Sequence, residues 1–384
     1  MSVAGQRILL IPDGVADPWS PADGAPSPTT LEATPTLALD AVARRAAVRP
    51  VVTTPDGLSA GSEVGLPSLL GAPPEGVVSR GRIDAVAHGH REPEHAVVHR
   101  VDVRHADGRP APELAGIGLS LLRASVAEEG LHVEALDEHR MLVAGHVAPV
   151  LPHRADLAEL AVARGLWDPS MTDDDGHAAD GLARGGAGAH GNDRPTRDRA
   201  TGDGGVSDGH GGPWFQLWPD GAVPRRILDA DTVVVCAPRS TMAGIATLMG
   251  ARTLHPPGAT GRRGTDVAAK ARAAVTLLRE GAATVVVHVG SPDEAAHALD
   301  PQAKARELSR IDRDLVAPLA GIAMDLGATL AICPDHGTDP RTGHHSAVPV
   351  PGLVWGPGTV RSGPDRLVES GVAGLAAVAG PWAV

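Results

Sequence analysis

Four short runs in this chain are almost continuously apolar: Ile8–Ile11 (ILLI), Thr232–Cys236 (TVVVC), Thr284–Val289 (TVVVHV) and Thr329–Cys333 (TLAIC). A strand with one face in water alternates apolar and polar residues. Unbroken Val- and Ile-rich runs mark strands covered on both faces, as in parallel sheets. Helical patterns lie between them. Thr265–Glu280 and Ala303–Leu326 place apolar residues three and four apart, the second at Leu308, Ile311, Leu315 and Leu319. Strands alternating with helices predict an α/β fold whose sheet carries helices on both faces.

Two stretches break that rhythm. Residues 76–167 hold alternating segments such as His95–Val103 (HAVVHRVDV), a helix near Leu114–Glu129 and a strand-like Met141–Val143, which predicts an inserted, smaller α+β domain. Residues 168–212 contain 12 Gly and 9 Asp in 45 positions, with hardly a large apolar side chain. Such a segment cannot bury enough surface to offset the entropy of ordering, so it reads as a disordered linker. Its His177, His190 and His210 fit solvated low complexity better than a metal-binding tract. The expected organisation is a core of 1–75 with 213–384, an inserted substrate-capping domain at 76–167, and a linker at 168–212.

Composition removes several function classes. A formal charge of −12 lacks the basic face that sequence-independent binding to nucleic acid or anionic lipid requires. Aromatic residues are 2% of the chain, too few for base-stacking platforms. Cys236 and Cys333 alone make neither a disulfide framework nor a cysteine-rich zinc site, and fit a reducing compartment. Met1–Gln6 leads straight into the first apolar run, without the length of a signal peptide, and no stretch approaches the roughly 18 apolar residues of a membrane span. The expectation is a cytoplasmic protein that binds neither nucleic acid nor membrane.

The chemistry lies where the strands end. Ile8–Ile11 runs into Pro12-Asp13-Gly14, Thr284–Val289 into Asp293-Glu-Ala-Ala-His297, and Thr329–Cys333 into Pro334-Asp335-His336. In open parallel sheets, ligands bind outside the carboxyl ends of the strands, so three acidic clusters should meet at one edge. Asp293 and His297, four apart, share a face of a helical turn, and His344-His345 follow nine residues after the Asp335-His336 pair. Mixed Asp and His donors suit Mn²⁺, Zn²⁺ or a similar ion, and two such ions can clamp the attacking and leaving oxygens of a phosphoryl group. Taken singly, each Asp is as well read as a helix N-cap and each His as a surface residue. Ser62, in Ala60-Gly61-Ser62-Glu63-Val64-Gly65, is a nucleophile candidate entering a helix, although local sequence alone reads slightly better as a plain N-cap with Glu63 in the first turn.

Together these motifs resemble the alkaline phosphatase superfamily, and within it the archaeal-type branch of the cofactor-independent phosphoglycerate mutases. The resemblance is carried by Ile11-Pro12-Asp13-Gly14, Leu31-Glu32-Ala33-Thr34-Pro35, Gly61-Ser62-Glu63-Val64-Gly65 and Ser68-Leu69-Leu70-Gly71. It continues through Gly258-Ala259-Thr260-Gly261, Lys270, His288-Val289, Asp293-Glu294-Ala295, His297, Lys304, Ile311-Asp312-Arg313, Pro334-Asp335-His336 and His345-Ser346. Nearly all of residues 7–75 and 214–356 take part, in the family's order.

The resemblance implies an alkaline-phosphatase-like sheet, two divalent ions (Mn²⁺ first, Zn²⁺, Mg²⁺ or Co²⁺ as alternatives) and a phosphoserine on Ser62. Asp293, His297 and His345 would hold one ion. Asp13, Asp335, His336 and the Ser62 hydroxyl would hold the other. Lys270 would face the phosphoryl oxygens, and Arg80 and Arg140 would contact the substrate anion. The implied enzyme is a monomer acting on a small phosphorylated acid, interconverting 2- and 3-phosphoglycerate while its inserted domain closes over the product. The departures lie in the insertion, where the family's Arg-Cys-Asn and Asp-Ser-Ala-Gly segments are replaced by Val98-His99-Arg100 and Pro112–Gly116. They leave open a phosphohydrolase, or a mutase for a related phosphorylated or phosphonate acid. A non-catalytic metal-binding relative is a third reading, which the complete donor set argues against.

Overall fold

The computed structural model describes residues 5–19, 28–90, 97–106, 109–137, 139–146, 149, 154–157, 160 and 212–380. The expected linker at 168–212 lies outside them except for Gly212. The chain divides into two compact units, Met1–Gly76 with Pro224–Val384, and Val77–Val223.

The first unit is built on a seven-stranded sheet. Its spatial order is Ala47–Val51, Val350–Trp355, Thr329–Ile332, Arg7–Pro12, Thr284–Val289, Thr232–Val235, Arg252–Leu254. The four runs singled out above are its central strands, all parallel. Ile8, Leu9, Leu10 and Ile11 are each 0% exposed. Successive side chains point to opposite faces, so both faces of the sheet are covered, which is why the run does not alternate. Val350–Trp355 joins antiparallel beside Thr329–Ile332, and Ala47–Val51 forms the edge beyond it. Neither Val350–Trp355 nor Ala47–Val51, interrupted by Pro50, shows the same apolar signal.

The helix patterns appear with natural stops. Val267–Arg279 starts at Asp266, whose carboxylate accepts from the Ala269 N–H, as an N-cap should. The long pattern at 303–326 is three segments: Pro301–Ile311, a π-helical turn Asp312–Val316, and Ala317–Leu326, closed by Gly327 at φ +61°. At the π turn, the Asp312 carboxylate accepts from the backbone N–H groups of Ala38 and Leu39 at 3.1 and 2.7 Å. It thereby caps the helix Leu37–Ala43 from a remote part of the chain.

The second unit is α+β. Its five-stranded antiparallel sheet runs His132–Ala135, Arg140–Gly145, Val97–Arg104, Trp214–Trp218, Arg154–Asp156. The helix Ala115–Val126 completes a core with Val101, Val103, Leu122, Met141, Val143 and Phe215. Expectation placed the return to the core at residue 213. The boundary instead follows Val223, because Trp214–Trp218 is hydrogen-bonded along Val97–Arg104 and belongs to this sheet. Among the described residues no helix is long and apolar enough to cross a membrane.

Candidate metal centre

Every donor proposed for the ions lies in the first unit, at the carboxyl ends of its central strands. Asp13 directly follows Arg7–Pro12, and its N–H donates to Val289 O at 3.0 Å, which ties it to the end of the neighbouring strand. Asp335 and His336 follow Thr329–Ile332 and are both 0% exposed. Asp293 and His297 sit one turn apart on the short helix Ser291–His297. His345 arrives on a two-stranded ribbon, Gly337–Thr338 with His345–Ser346, while His344 is exposed.

Two donor sets result. In the first, His297 Nε2 is 3.2 Å from Asp293 Oδ2, His345 Nε2 is 3.6 Å from Asp293 Oδ1, and the two imidazole nitrogens are 2.9 Å apart. His345 Nδ1 lies 3.2 Å from the Ala60 carbonyl, an acceptor only. Its proton therefore sits on Nδ1 and the Nε2 lone pair faces the cluster, the arrangement metal-ligating histidines use. In the second set, His336 Nε2 is 3.4 Å from Asp13 Oδ1 and 3.5 Å from Asp335 Oδ2. The Ser62 hydroxyl completes it, 3.2 Å from His336 Nε2 and 3.5 Å from Asp13 Oδ1. The first set opens to solvent, with the His297 side chain 46% exposed. The second is enclosed.

Ser62 is the first residue of the helix Ser62–Leu69, and Gly61 is the N-cap. The alternative of a plain N-cap serine is not what forms. The helix comes close because of Gly65: a Cβ there would overlap the Asp335 carbonyl oxygen. Gly14 permits the other close approach. Its φ is +58°, and a Cβ would lie 2.5 Å from Asp293 Oδ1 and 2.6 Å from Thr338 Oγ1. Gly65→Ala is expected to destabilise the protein by about 1–3 kcal/mol and to lower turnover by displacing Ser62. Urea unfolding and kinetics on the same preparation check both; unchanged turnover would mean that this contact does not position the serine.

The donor chemistry fits divalent cations. Burial and the neighbouring carboxylates of Asp335 and Asp293 push the Asp13 carboxyl well above its ordinary range. Asp335 Oδ2 is buried without a hydrogen-bond partner. Buried carboxylates packed so closely are costly unless a cation compensates them. Burial lowers His336, which keeps it neutral and able to donate a lone pair. Among the described residues, three groupings can bring one atom per residue within 4.8 Å: Asp293/His297/His345, Asp13/Asp293/His336 and Asp13/His288/Asp335.

The third includes His288, which in the sequence stands out only as part of the His288-Val289 motif. Its Nε2 stands 3.1 Å from Asp13 Oδ2, on the side away from Ser62. Burial drives its pKa down to about 4, so the ring beside Asp13 is neutral. The available signal was a lone imidazole in an otherwise aliphatic strand.

Both lysines of the chain are fully buried. Lys270 donates to the His288 carbonyl at 2.6 Å, beneath the second set. Lys304 donates to Asp17 Oδ1 at 2.5 Å, Thr338 O at 2.6 Å and Ala16 O at 3.2 Å, which ties the loop after Asp13 to the loop after His336. The two arginines expected on the substrate anion lie in the second unit. Arg80 stacks on Trp218, its guanidinium carbon 3.8 Å from the ring centroid. Arg140 is paired with Asp137 and lies 3.6 Å from Asp84.

The sequence profile of the Metalloenzyme superfamily matches residues 5–382. The 2,3-bisphosphoglycerate-independent phosphoglycerate mutase 2 of Methanothermobacter thermautotrophicus is 27% identical over 372 residues, spanning 92% of this chain and 89% of the relative. The 2,3-bisphosphoglycerate-independent phosphoglycerate mutase of Methanosarcina barkeri is 28% identical over 374 residues, spanning 90% and 89%. Among solved structures, the PH0037 protein of Pyrococcus horikoshii superposes with a TM-score of 0.67 at 22% identity, covering 97% of this chain and 94% of that one, and so shares the fold.

Proposed function

Because the chain belongs to the metalloenzyme superfamily, we propose that it is a two-metal phosphomutase working through a phosphoserine on Ser62. Its reaction is the interconversion of 2- and 3-phosphoglycerate. The observation that carries this reading is the Ser62 hydroxyl held against His336 and Asp13 at the mouth of an enclosed donor set. Asp293, His297 and His345 would hold one ion, and Asp13, Asp335, His336 and Ser62 would hold the other, with Mn²⁺ the first choice. When bound, the ions supply positive charge that acidifies the serine hydroxyl and neutralises phosphoryl oxygens. Ser62 Oγ forms a bond to phosphorus as the ester oxygen departs, the serine proton ending on that oxygen; a second displacement passes the phosphoryl group from Ser62 to the neighbouring hydroxyl, whose proton returns to the serine. The protein acts as a cytoplasmic monomer.

Lys270 supplies a fixed positive charge beside the phosphoryl group. Burial lowers its pKa to about 8, against the opposing pull of Cys236 and Asp13. The ammonium form is therefore lost as pH rises through about 8, and turnover should fall over that interval. Lys270→Met should lower kcat by about 10²–10³-fold and remove that alkaline limb from the pH–rate profile. Retention of the limb in the variant would assign it to another group.

One observation favours a second reading, a phosphohydrolase or a mutase for a related phosphorylated or phosphonate acid. In the second unit, Arg140 is paired with Asp137, and Arg100 donates to both Asp102 oxygens at 2.6 and 2.8 Å. Carboxylates of the protein itself thus engage Arg140, which the resemblance puts on the substrate anion, and Arg100, which stands where the family's motif is replaced. Incubation of the full chain with Mn²⁺ and 3-phosphoglycerate, following 2-phosphoglycerate against free phosphate, separates the readings. 2-Phosphoglycerate without phosphate supports the mutase, phosphate supports the hydrolase, and turnover of neither removes the named substrate.

A further inference from the structure

Thr338 is 0% exposed, and its hydroxyl stands between the two donor sets. Its Oγ1 is 2.7 Å from Asp293 Oδ1 in one direction and 3.2 Å from His336 Nδ1 in the other. A hydroxyl has one proton to give, and an ionised carboxylate can only accept. The Thr338 proton therefore goes to Asp293, and Oγ1 accepts from His336 Nδ1–H. That direction leaves His336 Nε2 with a bare lone pair toward Ser62 and Asp13. The other acceptor near Nδ1, the Gly337 carbonyl at 3.4 Å, demands the same tautomer.

The backbone that carries this hydroxyl is anchored on three sides. Thr338 N–H donates to Ala16 O at 2.8 Å, and its carbonyl accepts from Lys304 Nζ at 2.6 Å. Thr338 is also the register partner of His345. The same residue thus touches a donor of the open set, orients a donor of the enclosed set and pairs with a third donor in the ribbon. Asp293 belongs to groupings of both sets, so fixing it affects each.

We propose that Thr338 is a positioning residue whose hydroxyl couples the two metal sites, orienting Asp293 for one ion and setting the His336 tautomer for the other. This rests on the two-metal reading above. Partners of this kind govern metal affinity through the orientation and basicity of the ligand, and their loss costs about 10–100-fold.

The test is calorimetric titration of metal-stripped full-length protein with Mn²⁺ alone, in the wild type, Thr338→Val and Thr338→Ser. Thr338→Val should weaken both binding steps by about 10-fold or more, and Thr338→Ser, which keeps the hydroxyl, should restore both. Unchanged affinity in Thr338→Val, or a loss confined to one step, overturns the coupling while the two-metal reading stands. A wild type that takes up no Mn²⁺ removes that reading and the coupling with it. Imidazole ¹⁵N NMR of the metal-free wild type gives a check that needs no variant to fold. The His336 ring should carry its proton on Nδ1, and a proton on Nε2 overturns the proposal.

Discussion

Ser62→Ala is expected to abolish phosphoryl transfer while the protein still takes up metal. Removal of a nucleophile that acts as part of a constellation costs about 10⁴–10⁶ in kcat. The hydroxyl is one of seven proposed donors, and the other six stay in place. Ser62 opens its helix but does not cap it, since Gly61 is the N-cap and no side-chain cap bond is present. Alanine, the strongest helix former, should leave Ser62–Leu69 folded. The loss should therefore be chemical. Rapid quench with ³²P-labelled substrate should show radioactivity on wild-type protein and none on the variant. Normal turnover by the variant would remove the phosphoserine mechanism.

The second large effect is on stability. Asp13, Asp335 and Asp293 gather at the ends of the central strands, and burial together with the other two carboxylates raises Asp13. Ions that bind only the folded chain stabilise it by mass action, about 4 kcal/mol when free metal exceeds its dissociation constant 1,000-fold. Melting in excess Mn²⁺ should therefore exceed melting in EDTA by several degrees, and Asp335→Asn should erase most of the gap.

The pH dependence has a definite sign. Asp13 must lose its proton to ligate, and its raised pKa keeps that proton on until the pH is higher than an ordinary carboxyl requires. Metal stabilisation should thus shrink as pH falls, starting at a higher pH than an ordinary carboxyl would require, because protons compete for the donors. Equal melting with Mn²⁺ and EDTA at pH 8 would refute the assignment of these residues as ligands.

Much of the fold could be read before any coordinates. Ile8–Ile11 and Thr284–Val289 lie in the centre of the sheet, where covered faces demand unbroken apolar runs. Ala47–Val51 was harder, because Pro50 and Arg49 give it the look of a loop and only its pairing with Val350–Trp355 makes it a strand. Trp214–Trp218 carries no local sign of the unit it joins, for a similar reason. Its partners, Val97–Arg104 and Arg154–Asp156, are distant in sequence, and strand pairing over such separations leaves no local trace.

The candidate site divides in the same way. The chain alone determined the donor types and, for most of them, their attachment to strand ends: Asp13, Asp293, His297, Asp335 and His336 are covalently fixed just beyond segments that must be buried. Hydrophobic burial then dictates where those segments go. Tertiary structure decided what depends on direction and close approach. It turned His345 inward and left His344 exposed, brought Ser62 against His336 through Gly65, and set His288 on the far oxygen of Asp13. It also gave Lys304 to Asp17 and placed the Thr338 hydroxyl between the two donor sets. Those choices rest on hydrogen-bond geometry and on contacts of a few tenths of an ångström, which no residue type or spacing encodes.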